Sequence, residues 1–168
     1  GLGGRDLLAG AGADFLMAST LPEIHEALGM AEALAATGCP YLVSFIVRPS
    51  GCLLDGTPMD MAISHIDEQV APRPLGYLVN CVHSSALNGA LCQPSGRRAL
   101  DTGRLLGLQS NTSSKSPEEL DGSGELEGEA PAAFASGMCA LRNRFGLHVL
   151  GGCCGTDARH IAALAERL

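Results

Sequence analysis

The sequence predicts an α/β fold built on a parallel sheet. Five apolar runs of strand length punctuate its 168 residues. These runs are continuous rather than alternating, as strands covered on both faces are. Helix-type or loop segments separate them, the spacing that parallel strands joined by crossovers require. The length fits one domain over residues 1–168, and 46% hydrophobic residues suffice for a core. With 4% aromatics and no Trp, that core is aliphatic.

The first strand is expected at residues 14–18, followed by a helix over about 22–37 with Pro22 near its first turn and Gly38 closing it. A second strand at 41–47 leads through a turn-rich loop to a helix over about 59–70. The third strand, 75–81, precedes a segment with a weaker helical pattern. The fourth, 105–109, runs into Ser110-Asn111-Thr112-Ser113-Ser114. Residues 113–131 then break the rhythm with six of the 18 acidic residues: Glu118, Glu119, Asp121, Glu125, Glu127 and Glu129. This stretch reads as a solvated excursion, with an acidic binding surface as the sharper alternative. A helix over about 132–145, a fifth strand at 147–150 and a helix over 157–164 complete the chain. The strands should lie side by side in sequence order with their C-terminal ends on one rim. Two unpaired edges then invite self-association.

A net charge of −7, with no basic cluster larger than Arg97-Arg98, argues against a nucleic-acid surface. No apolar stretch reaches membrane-spanning length, and no signal peptide is recognised, so a cytoplasmic protein is expected. Its seven cysteines then read as reduced thiols, some of them ligands, and the sequon at Asn111 as a chance match.

The densest chemical signal is Gly151-Gly152-Cys153-Cys154-Gly155-Thr156. Successive side chains of a regular strand point to opposite faces, so both sulfurs can meet only where the backbone leaves strand geometry, and the glycines allow that. A helix follows, with Thr156 or Asp157 as N-cap, and its dipole favours thiolate. Two small buried hydrophobes would be the plain interpretation. Cys81, however, ends the third strand, on the rim shared by strand C-termini. Three converging thiolates with one open tetrahedral position describe a catalytic zinc site. Cys39, Cys52, Cys92 and Cys139 fall outside this rim and read as packing residues.

Asn80-Cys81 and Gly151 to Thr156 together resemble the homocysteine S-methyltransferase family, whose zinc barrels carry Asn-Cys at one strand end and Gly-Gly-Cys-Cys at the last. The likeness continues in Ala13-Asp14, Ser44-Phe45, Gly51, Gly56 and residues 157–161. Residues 107–111 and 118–121 resemble a bacterial branch of the family. The resemblance implies a TIM-type (β/α)8 barrel, partial here, because the five βα units resemble the last five of the family. It also implies zinc held by Cys81, Cys153 and Cys154. The activity implied is transfer of a methyl group from an activated donor to the thiol of homocysteine, forming methionine. Two departures accompany it. Such barrels take about 250 residues, and the acidic glycine-rich motif of the N-terminal strands has no counterpart. Ser19 also stands where many members place a glutamate that binds the substrate amino group.

Ser44, Asn80 and Asn111 lie at predicted strand ends and are candidate substrate-binding residues, or strand-end polar groups satisfying backbone. His83 and His160 are candidate partners of a thiolate or substrate, or structural histidines. Two other functional classes compete with the methyltransferase. One is a non-catalytic zinc-thiolate protein on an incomplete barrel; the other is a vicinal-thiol redox or heavy-metal binder. The expected partners of the enzyme are small molecules, homocysteine and a methyl donor, with no nucleic acid and no membrane.

Overall fold

Backbone pairing runs in sequence order across the molecule. The computed structural model describes residues 4–115, 119 and 128–168. Its elements are α1 (Gly4–Gly10), β1 (Leu16–Leu21), α2 (Ile24–Ala35), β2 (Tyr41–Phe45), α3 (Met59–Gln69), β3 (Gly76–Val82), α4 (Ser84–Cys92), α5 (Pro94–Asp101), β4 (Leu105–Ser110), α6 (Pro131–Phe145), β5 (Val149–Gly152) and α7 (Ala158–Ala165). The sheet order is β1-β2-β3-β4-β5, and every neighbouring pair is parallel. All strand C-termini therefore reach one rim, which is what brings residues distant in sequence to one place.

One sheet face carries Tyr41, Val43, Phe45, Tyr77, Val79 and Leu108, all buried in a single cluster with helix residues such as Ala27, Ala31, Ile63, Leu87, Phe134 and Met138. The opposite face is less covered. In β1 the burial alternates: Leu16, Ala18 and Leu21 are buried, whereas Met17, Ser19 and Thr20 are exposed. The expectation of strands covered on both faces thus fails for this edge strand. Val149, on the other edge, is also exposed.

Several boundaries shift for identifiable reasons. β1 begins at Leu16, whose partner is Tyr41, so Phe15 stays outside the ladder and exposed. β2 stops at Phe45 because the chain folds back on itself, with Val47 bridging Leu53 and Cys52 bridging Pro58 in antiparallel fashion. The weakly patterned stretch after β3 forms two helices, α4 and α5, and Pro94 at the start of α5 supplies the break between them. β5 lies two residues later than expected: Gly107 pairs with Val149 and Ser110 with Gly152, so the strand runs through both glycines. The acidic stretch lies mostly outside the described residues; Glu119 and Glu129 are within them.

The rim opposite the thiols is held by polar contacts. Arg104 grips Asp67 through Nε (2.8 Å) and Nη2 (2.9 Å), and Tyr77 donates its hydroxyl to Asp67 Oδ1 at 2.9 Å. Burial and the Asp67 carboxylate push the Tyr41 phenol up to about 12 and raise that of Tyr77 further.

Candidate metal centre

Cys81 reaches the site through a distortion of β3. Asn80 pairs with Gln109 and Val82 with Ser110, so Cys81 has no partner in the ladder, and its φ is +58. β3 therefore continues one residue past Cys81 instead of ending there. A left-handed conformation costs a residue with a side chain about 1–2 kcal/mol, but it re-aims the thiol, as bulges near functional sites do. Local hydrogen bonds hold it in place. Asn111 Nδ2 donates to the Cys81 carbonyl at 3.1 Å, while Asn111 N and Ser110 Oγ each donate to the Val82 carbonyl at 3.1 Å.

The vicinal pair leaves β5 one step later than its glycines suggest. Cys153 N still bonds to the Ser110 carbonyl at 2.7 Å, and the turn follows: Thr156 N and Oγ1 donate to the Cys153 carbonyl at 3.2 and 2.6 Å. Thr112 N bonds to the Cys154 carbonyl at 3.2 Å, tying this turn to the end of β4. Gly155 sits at φ +78, and a Cβ there would lie 2.0 Å from Thr112 Oγ1. At Gly152 a Cβ would lie 2.3 Å from Thr156 Oγ1. Both positions thus require glycine.

Three sulfurs result, close together on one rim. Cys81 Sγ is 3.4 Å from Cys154 Sγ, Cys153 Sγ is 3.9 Å from Cys154 Sγ, and all three lie within 4.8 Å of one another. Tetrahedral zinc with bonds of about 2.3 Å separates its sulfurs by ~3.8 Å, so the spacing and donor set fit zinc. Among the described residues this is the one such group of histidines, cysteines or carboxylates. Cys39 and Cys139 instead face backbone carbonyls, those of Ala13 and Arg167.

The surroundings of Cys81 work against a thiolate there. Burial and the hydrogen-bonding thiols of Cys153 and Cys154 push its thiol up to about 12. Crowding three ionisable sulfurs favours the protonated form unless a cation sits among them. The α7 N-cap is Asp157, which accepts from Arg159 N at 2.9 Å. Hydrogen bonds from Arg159 hold this carboxyl well below the usual range.

Both histidines are engaged away from the sulfurs. His160 is buried: Nδ1 accepts from Asp157 N at 3.1 Å, completing a capping box, Nε2 lies 3.1 Å from the Glu129 carbonyl, and the ring meets Phe134 edge-on. His83 caps α4, its Nδ1 accepting from Ser85 N at 3.2 Å. Its Nε2 sits 3.2 Å from Glu129 Oε1. Glu129 Oε1 is buried and makes no hydrogen bond. Glu129 therefore joins both histidines, a role that its place in an acidic run did not signal.

Ser44 and Asn80 are buried, and Ser44 Oγ donates to Asn80 Oδ1 at 2.6 Å. Asn111 is also buried; it borders a cavity of about 170 Å³ beside Cys81, walled by Val47, Leu54, Val82, His83 and Ala86. Its Oδ1 has no partner. Ser19 lies exposed on β1.

Residues 5–168 match the sequence profile of the homocysteine S-methyltransferase family. The chain is 24% identical over 178 aligned residues to betaine–homocysteine S-methyltransferase 1 of Bos taurus, an alignment covering 92% of this chain and 40% of that protein. The Mus musculus protein of the same name matches with the same identity and coverage. The chain thus spans well under half the length of these relatives. It belongs to the homocysteine S-methyltransferase family, and its five parallel strands are a partial region of that family's (β/α)8 barrel.

Proposed function

We propose that this chain carries the thiol-activating centre of a zinc-dependent homocysteine S-methyltransferase, which moves a methyl group from an activated donor to homocysteine and forms methionine. The observation that carries the reading is the convergence of Cys81, Cys153 and Cys154 on the C-terminal rim. These three would hold the metal, leaving one tetrahedral position for the acceptor sulfur. When bound, zinc supplies the charge that keeps a thiol ionised at neutral pH. The chain's residues do the placing. The bulge at Cys81 and the Gly152–Gly155 turn aim the sulfurs. Asn111 offers a buried acceptor beside Cys81, whereas Ser19 lacks the charge that a glutamate would set against a substrate amino group. In the reaction a new S–C bond forms in line as the donor's bond to the same methyl breaks, the electron pair leaving with the donor. A sulfonium, a quaternary ammonium or a methylated pterin each satisfies that balance.

The exposed sheet face at Met17, Ser19 and Val149 supports a further statement: these residues alone build only part of a substrate pocket. Misplacing reactants by 1 Å costs about 100-fold, so the 168-residue chain should bind zinc and transfer methyl poorly. Edges β1 and β5 are then surfaces for self-association. Zinc analysis of protein purified without chelator tests the centre, expected at one equivalent. Methionine formation from homocysteine with S-methylmethionine, betaine or methyltetrahydrofolate tests the activity. Absence of zinc would leave the reading without its basis, and robust turnover would show that the pocket is complete in this chain. Among the described residues, no helix is long and apolar enough to cross a membrane.

A further inference from the structure

Asn80 makes more side-chain hydrogen bonds than a strand-end amide needs. Its Oδ1 accepts from Thr20 N at 2.8 Å and from Ser44 Oγ at 2.6 Å, and its Nδ2 donates to Thr20 Oγ1 at 2.6 Å. The backbone N–H of Thr20 can only donate, so the amide orientation is fixed. One buried side chain therefore ties together the ends of β1, β2 and β3. Thr20 meets it from a left-handed conformation, φ +62, where the β1–β2 register shifts between Ala18 and Leu21. Cys81, the next residue along, is also left-handed and lies in a register shift. Two strained non-glycine residues at opposite ends of one amide are not two local accidents. Strain of this kind persists only where the surroundings over-determine it.

From these contacts we infer that Asn80 is a positioning residue for the metal centre: clamped by Thr20 and Ser44, it fixes the left-handed turn at Cys81 and so aims that sulfur at Cys154. On its C-terminal side the turn is held by Asn111 and Ser110; on its N-terminal side the Asn80 side chain does the same work. Without the clamp, Cys81 would relax toward ordinary strand geometry, in which it faces the side opposite to Asn80. The inference rests on the metal-centre reading for its function, but the thiol geometry it concerns exists without metal.

Two measurements on the full 168-residue chain separate these levels. In a Cys153→Ser background without metal, dibromobimane should bridge Cys81 and Cys154, as located by peptide mass spectrometry. Asn80→Ala should lower bridging at least 5-fold, with circular dichroism showing a folded protein. In the chain carrying all its cysteines, cobalt(II) should give thiolate charge-transfer bands. Asn80→Ala should weaken cobalt affinity about 10–100-fold, the usual effect of losing an outer-shell partner, and alter those bands. Should Asn80→Ala fail to fold, Ser44→Ala removes one clamp bond and should move both readouts in the same direction by several-fold. Unchanged bridging and unchanged bands in a folded variant, whatever its melting temperature, would overturn the positioning role. A wild-type chain that bridges but binds no metal would refute the metal centre while leaving the positioning role standing.

Discussion

Gly155→Ala should damage both the fold and the metal centre, and the size of the damage follows from two terms. The first is conformational: at φ +78 alanine costs about 1–2 kcal/mol relative to glycine. The second is steric. The new Cβ would stand 2.0 Å from Thr112 Oγ1 and 3.3 Å from its Cβ, and Thr112 is buried and stiff at χ1. Overpacking of that kind costs about 1–3 kcal/mol. Together they predict a loss of ~2–5 kcal/mol in urea denaturation of the metal-free chain, and at 2–4 °C per kcal/mol a melting point lower by at least ~4 °C. Because Thr112 N holds the Cys154 carbonyl, displacement of Thr112 also moves the thiol pair. Zinc affinity, measured by chelator competition, should fall at least ~10-fold. Adding Thr112→Ala should relieve the steric term and leave the conformational one, a coupling that a double-mutant cycle reads directly. A Gly155→Ala chain within ~0.5 kcal/mol of wild type, with unaltered zinc affinity, would refute the claim that this turn is built to the glycine's measure.

Cys81→Ser should abolish stoichiometric zinc. In metal-free protein it should also remove a pH dependence: a thiol raised to about 12 stabilises the fold fully below its unfolded value of ~8.5 and loses that contribution as pH rises toward 12, so wild-type stability should decline more steeply in alkali. Zinc binding must release that proton, so wild-type zinc affinity should climb as pH rises. Asp157→Ala should lower the melting temperature through loss of the α7 cap. The difference should hold between pH 5 and 8 and shrink only as pH falls below about 4, because the folded carboxyl titrates below its unfolded value. Tyr77→Phe should cost about 1 kcal/mol in denaturant titration, because Asp67 Oδ1 keeps its bond from Arg104.

The parallel strands, their order and the cysteine trio were legible because their signals are local. An apolar run flanked by helix starts marks a strand wherever it packs, and a glycine-flanked cysteine pair marks a break in strand geometry. The start of α7 was legible as far as Thr156 or Asp157; the fold selects Asp157 and pairs it with His160. The burial of the strands was not legible, because the residues of β1 look the same whether one face or both are covered. Nor was the left-handed state of Cys81 and Thr20. Neither is glycine, and no neighbouring residue announces a positive φ.

By itself the sequence determined on which rim Cys81, Cys153 and Cys154 gather, because strand direction and chain order follow from pattern alone. Only the tertiary structure decided how the sulfurs aim and what holds them. Asn80, Ser44 and Thr20 come from three different strands, and Glu129 meets two histidines from separate elements. Such contacts depend on strand register and on where bulges fall, which packing of the whole sheet sets and no single segment encodes.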